Sequence, residues 1–194
     1  MSYDVIVIGS GIAGLMAAIE AKSETNRVAI ITKGNIFKSN SAVASGGINA
    51  VLDEKDEKSI QQHIEDTLKS AKELGDKKAI DYLCHEAPHI IRKLADYGVD
   101  FNHDEKGVLL QRSFGGGSTK RTCFVGDSTG SAIIQVLIKH ANVIGIDFLI
   151  NHYVMDITKI EEYISGVVVL KRLDSTVSIY PAKAVIFAGG GYAG

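Results

Sequence analysis

The chain has 194 residues, 45% of them hydrophobic and 23% charged, with a formal net charge of −2. Such a length holds one full-sized domain with a buried core, and the balance of charge argues against a nucleic-acid or anionic-membrane surface. Cys84 and Cys123 lie far apart without metal-type spacing, and no apolar run approaches the ~18 residues of a membrane span, so no disulfide framework, metal site or direct membrane span is expected.

The chain begins on an apolar run, Val5 to Ile8, that passes directly into Gly9-x-Gly11-x-x-Gly14. A continuous apolar run is the signature of a buried parallel strand, and the Ala-rich stretch Leu15 to Lys22 after it reads as a helix. In that setting Gly9 permits a tight turn, Gly11 lets backbone approach a pyrophosphate, and Gly14 lets helix and strand pack closely. A diphosphate then sits on the helix N-terminus, where N–H groups and the positive end of the dipole meet it. A second apolar strand, Val28 to Ile31, completes the dinucleotide-binding pattern. It ends in Thr32-Lys33-Gly34, without the Asp or Glu that usually accepts hydrogen bonds from an adenosine ribose. Simple NAD binding is therefore disfavoured, and a flavin site is expected. With a core strand so near the start no signal peptide is expected, and the setting reads as cytoplasmic.

Beyond the polar stretch Lys33 to Ser41 comes a small-residue loop, Ala42 to Asn49, with Gly46 and Gly47 at its turn. Residues 59–73 read as a helix, with Ser59 and Gln62 as a capping box and Ile60, Ile64, Leu68 and Ala71 on one face. Gly75 stops it, and Asp76 caps a helix carrying Ile80 and Leu83. Pro88 suits the first turn of a further helix, which buries Ile90, Ile91 and Leu94 and stops at Gly98. A loop through Gln111 to Gly117 leads to Asp127, a candidate cap for a helix reaching His140.

From Asp147 onward strands are expected at 147–156, 164–171, 176–180 and 183–188, the first three as an antiparallel meander. The last is continuously apolar and should rejoin the parallel sheet before Gly189-Gly190-Gly191. The expected class is α/β: a Rossmann-like FAD-binding domain with a parallel central sheet, a helical insertion and an antiparallel β-meander. Residues 1–194 read as a fragment of such a domain, because the end at Gly194 directly follows a core strand.

Several segments in order carry a resemblance to one family. They are Gly9 to Gly14, Thr32-Lys33, the Ser41 to Gly47 loop, Glu65-Asp66-Thr67, Gln111-Arg112-Ser113-Phe114-Gly115-Gly116, Arg121-Thr122, Asp127-Ser128-Thr129-Gly130 and Ala188-Gly189-Gly190. Together they resemble the flavoprotein subunit of the fumarate reductase/succinate dehydrogenase family, which also contains L-aspartate oxidase, over roughly the first third of such a subunit. The resemblance implies FAD as cofactor. Gly9, Gly11, Ala13 and Gly14 would hold its diphosphate, Thr32 and Lys33 would lie by the adenosine, and backbone near Tyr153 and Val154 would meet the adenine. Asn40 through Gly47 would run along the isoalloxazine, Asn40 and Ser41 first and then Ser45, Gly46 and Gly47, whose N–H groups would stabilise negative charge on reduced flavin. By the same resemblance Ala188, Gly189 and Gly190 would also bind the cofactor.

Two positions discriminate within the family. Aspartate oxidases typically carry Glu where this chain has Phe114, and a phenyl wall suits a planar C4-dicarboxylate, so Phe114 with Gly47 is the expected substrate contact. Membrane-complex members usually read Ser-His-Thr where this chain has Ser39-Asn40-Ser41, and that His bonds covalently to flavin. Asn40 cannot, so non-covalent FAD is expected. The function implied is interconversion of fumarate and succinate by flavin hydride transfer. The alternatives are L-aspartate oxidase of NAD biosynthesis and a non-catalytic, truncated flavin-binding module.

The resemblance further implies an iron–sulfur partner subunit and a position at the inner face of a membrane through partners. The family's capping domain, dicarboxylate clamp, proton-delivering Arg and last FAD-site segment fall outside these residues, so no catalytic residue is expected here and the fragment alone should be inactive. The histidines, His63, His85, His89, His103, His140 and His152, are expected on helix surfaces or in loops, and Cys123 as a small core residue.

Overall fold

A computed structural model describes residues 2–191. In chain order the elements are β1 (Tyr3–Ile8), α1 (Ile12–Ala21), β2 (Val28–Thr32), α2 (Asn40–Val43), β3 (Ile48–Asn49), α3 (Glu57–Ser70) and α4 (Lys77–Asp96). They continue with β4 (Gln111–Arg112), β5 (Thr122–Cys123), α5 (Thr129–Val143), β6 (Asp147–Ile150), β7 (His152–Ile160), β8 (Tyr163–Lys171) and β9 (Thr176–Phe187). Two compact units result: residues 1–43 with 133–194, and residues 44–132.

The first unit is built on a six-stranded sheet in the order β6-β2-β1-β9-β8-β7. β6, β2, β1 and β9 run parallel, while β7, β8 and the first half of β9 form antiparallel hairpins. β2 is buried at every position, as a strand covered on both faces must be. Tyr3, Ile6, Ala29, Ile31, Val167, Val169 and Ala182 form one buried cluster that joins the parallel strands to the meander.

The expected parallel sheet with its meander is present, but two strand boundaries differ. The expected strand 147–156 is two strands: Asn151 adopts φ 61°, a left-handed conformation that Asn tolerates. β6 therefore pairs in parallel with β2, and only β7 begins the meander. Conversely, 176–180 and 183–188 are one strand. Pro181 lies where β9 changes partner, from β8 over residues 176–181 to β1 from Ala182 onward, so its missing donor interrupts neither ladder.

The second unit pairs α3 with α4 over a cluster of Val51, Ile60, Ile64, Ile80 and Cys84, beside a three-stranded antiparallel sheet, β3-β5-β4. Here, too, local signals shift. α3 starts two residues before Ser59, because the Asp56 carboxylate accepts from the Ser59 N–H at 3.1 Å and from its hydroxyl at 2.6 Å. Asp76 caps α4 as expected, accepting from the Ala79 N–H at 2.9 Å. α4 then runs unbroken through Pro88 for 20 residues instead of restarting there. Pro88 is buried among Cys84, Ala87 and Ile91, and burial of that face outweighs the single backbone hydrogen bond proline forfeits. α5 begins at Thr129, and Asp127 does not cap it: its exposed carboxylate turns to Arg112 at 3.3 Å. Among the described residues no helix is long and apolar enough to cross a membrane.

Candidate functional site

In the first unit the turn between β1 and α1 is a cradle that only glycine permits. Gly9 has φ 114°, and a Cβ there would lie closer than 3.0 Å to the Ala188 carbonyl oxygen. A Cβ on Gly14 would stand equally close to the Gly9 carbonyl, so the first turn of α1 rests on the strand end. The Ala188 N–H donates to Ile8 at 2.8 Å and the Gly9 N–H to Ile31 at 2.9 Å, which ties the turn to both neighbouring strands.

Gly11 differs in kind. A Cβ there would meet only the Ser41 hydroxyl, at 3.1 Å. That contact is tight, but it is with the end of one side chain rather than with backbone, so the fold requires the missing side chain far less here than at Gly9 and Gly14, and the open space in front of it suits a ligand. Gly11 is also the N-cap of α1, with no side-chain cap. The Ile12 N–H donates to Ser41 Oγ at 3.2 Å, and Ala13 at the same helix end is exposed. A helix start whose N-cap residue offers no side chain, with the Ile12 N–H alone taken by Ser41, in front of a glycine-lined gap fits a dinucleotide diphosphate.

Thr32 is buried, accepting from the Ser10 hydroxyl at 3.0 Å, whereas Lys33 is exposed. Arg172, which the sequence does not single out, joins the segments assigned to the adenosine half. Its backbone N–H donates to Asn151 and its Nη1 to the Lys33 carbonyl, both at 2.9 Å. Tyr153 is exposed on β7, and Val154 packs against the core. Ala188, Gly189 and Gly190 follow β9 directly, with Gly190 at φ 81°. Asn40 and Ser41 open the short helix α2, Asn40 exposed.

The second unit holds the remaining assigned residues. Gly47 has φ 111°, and a Cβ there would fall closer than 3.0 Å to the Cys123 carbonyl. Phe114 is 51% exposed, so it is no core residue. Its ring lies against Gly46, where a Cβ would come within 2.5 Å of the ring edge. Ser45, Gly46, Gly47 and Phe114 are thus gathered at one place. Arg112 binds the first two, its Nη2 donating to the carbonyls of Ser45 and Gly46 at 3.0 Å each.

The Gly-rich loop bearing Phe114 is anchored by charge. Asp66 on α3 accepts from the Ser118 N–H and hydroxyl, each at 2.8 Å, and pairs with Arg121 Nη2. Burial pushes the Asp66 carboxyl upward, but the Ser118 hydrogen bonds and the Arg121 guanidinium outweigh it and hold the group at about 2. His63 lies beside this pair and is buried, not on a helix surface as expected; burial, then Arg121, pushes its pKa down. On α3 His63 is buried together with Ile60 and Ile64, so the inward face is wider than the apolar residues alone mark it. Cys123 is a buried core residue, its thiol pushed up by burial.

Sheet order, glycine cradle and helix start together define a dinucleotide-binding α/β protein. The FAD binding domain family matches residues 4–194, and the chain belongs to that family. FAD is accordingly its cofactor. The chain is 36% identical over 198 aligned residues to the succinate dehydrogenase flavoprotein subunit of Rickettsia felis, covering 98% of this chain and 33% of that protein. Among solved structures it is similar to the E. coli quinol fumarate reductase subunit FrdA (TM-score 0.89, 29% identity, 98% of this chain and 33% of that one). It is also similar to the Sdh1 complex of Mycobacterium smegmatis (TM-score 0.86, 32% identity, 98% and 34%). The resemblance read from the motifs is thus borne out. The chain spans about a third of the length of these relatives.

Proposed function

We propose that this chain is the cofactor-holding part of a flavoprotein that interconverts fumarate and succinate, with FAD bound non-covalently. The observation carrying the reading is the division of labour among the glycines. Gly9 and Gly14 are required by the fold, whereas Gly11 is left without a side chain at the start of α1. FAD supplies a hydride donor and acceptor to the reaction.

The chain's own residues bind and orient. Gly11 leaves room for the diphosphate, and the N-terminal amides of α1 offer it hydrogen bonds. Lys33, held by Arg172, flanks the adenosine side. The Gly46 and Gly47 N–H groups are donors for the ring, and Phe114 presents an apolar wall to a flat C4-dicarboxylate. Asn40 has no ring nitrogen to alkylate, which supports non-covalent attachment. The clamp for the substrate carboxylates and the proton donor belong to other parts of the full protein, as do contacts to an iron–sulfur subunit at the inner, cytoplasmic face of a membrane.

L-aspartate oxidase is the second reading, favoured by Asn40 and opposed by Phe114. The test is carried out on the full-length protein. Trichloroacetic acid should release all flavin as free FAD, and the protein should reduce fumarate with a reduced dye while leaving L-aspartate unoxidised. L-aspartate oxidation without fumarate reduction would replace this reading with the second.

A further inference from the structure

One guanidinium nitrogen bridges two successive carbonyls in the second unit: Arg112 Nη2 donates to Ser45 and to Gly46 at 3.0 Å each. In a trans peptide the N–H points opposite to the C=O, and no cis peptide occurs among the described residues. Drawing both carbonyls to one cation therefore turns the N–H groups of Gly46 and Gly47 to the opposite side. The guanidinium is itself held, with Nη1 3.3 Å from the Asp127 carboxylate and its carbon 4.3 Å above the Phe124 ring centre. Arginine's planar fork can satisfy this set of acceptors at once; a lysine ammonium is a compact point charge on a flexible stem. The cation also polarises the two peptides, and a polarised peptide is a stronger N–H donor.

We propose that Arg112 is a positioning residue that aims the Gly46 and Gly47 N–H groups at the flavin ring and so raises the flavin's reduction potential. The inference rests on the placement of the ring along residues 45–47 in the proposed function. Reduced flavin carries a negative charge at the edge that such donors meet, so fixed donors favour the reduced form. Both N–H groups of Arg112 Nη2 are taken up by the protein's own carbonyls, so this arm of the guanidinium acts on the turn rather than on a ligand.

The test is a redox titration of the full-length, FAD-loaded protein carrying R112K or R112Q, with flavin absorbance and FAD affinity recorded alongside. Both variants should shift the reduction equilibrium at least tenfold toward oxidised flavin, which for a two-electron couple is about 30 mV more negative. R112K should not restore the native value, because charge without the fork does not hold two carbonyls. An R112K protein with native potential would overturn the directional role, as would unchanged potentials in variants that merely bind FAD more weakly or melt earlier. R112K decides alone should R112Q fail to fold. If the unaltered protein bound no FAD at all, the proposed function would fall instead.

Discussion

Replacing Asp66 by Asn should cost about 2–3 kcal/mol at neutral pH, and much of that cost should vanish in acid. The carboxylate is 13% exposed and its partner Arg121 only 4%, so solvent screens the pair little. Its pKa falls from the ordinary 3.8 to about 2, which at about 1.36 kcal/mol per unit is worth roughly 2 kcal/mol in favour of the charged, folded form. Removing one partner of a buried pair can cost ~3–5 kcal/mol, and Arg121 Nη1 is already buried without a partner. Asn keeps an oxygen for the Ser118 donors, which holds the expected loss to the lower value. The sign with pH follows from the depressed pKa. The stabilisation is complete above the unfolded value of 3.8, shrinks as pH falls toward about 2, and is about half gone by pH 3. Urea unfolding of wild type and D66N at pH 7 and pH 3 measures both quantities. A difference between the two proteins that stays the same at the two pH values would show that the charge of Asp66 does not hold the loop.

Gly14→Ala should prevent stable folding, because its methyl would meet the Gly9 carbonyl, whereas Gly11→Ala should keep the native circular dichroism and melting behaviour yet lose FAD affinity at least tenfold by fluorescence titration. A yellow, FAD-loaded Gly11→Val protein would remove the diphosphate from this turn. His63 has its pKa pushed below the ordinary 6.5 by burial and Arg121, so the unfolded chain takes up that proton first and stability should decline as pH drops below about 6.5. His63→Leu should flatten the melting temperature between pH 7 and pH 5, and an unchanged slope would contradict the burial argument. Phe114→Glu in the full-length protein should lower fumarate turnover at least tenfold, since a carboxylate would face a dianion and like charges repel; stopped-assay product analysis with fumarate and L-aspartate reads the outcome.

The features legible in the chain are those whose physics is local. A glycine that must avoid a carbonyl, as Gly9 avoids Ala188 and Gly14 avoids Gly9, leaves its spacing in the sequence because no other residue can take its place. The apolar run of β2 is legible for the same reason: a strand buried at every position tolerates little else, and β1 and the end of β9 share its run of apolar residues as its parallel neighbours in the sheet. Boundaries fared worse wherever two local rules competed. Asp56 and Ser59 are both good caps one helical turn apart, and the structure satisfies both by having the first accept from the second. Pro88 and Pro181 each carry the sequence signal of an ending, yet burial overrides the one and a change of strand partner absorbs the other.

What no window of the sequence contains is the pairing of distant polar groups, and this is where the second unit keeps its organisation. Asp66 finds Ser118 and Arg121 across 52 and 55 residues, and Arg112 finds the carbonyls of Ser45 and Gly46 across 67 and 66. In composition both arginines count merely as surface charge. In the fold each is drawn inward by groups that water would otherwise have to solvate: Arg121 neutralises a carboxylate that a glycine-rich loop needs as its anchor, and Arg112 gathers carbonyls that a turn with a left-handed glycine leaves on one side. A loop of small residues has little apolar surface with which to hold its own shape. Two cations supply contacts that such loops cannot make for themselves: Arg121 through Asp66 beside Ser118, and Arg112 at the carbonyls of Ser45 and Gly46, next to two glycines that are among the most conformationally free residues in the chain.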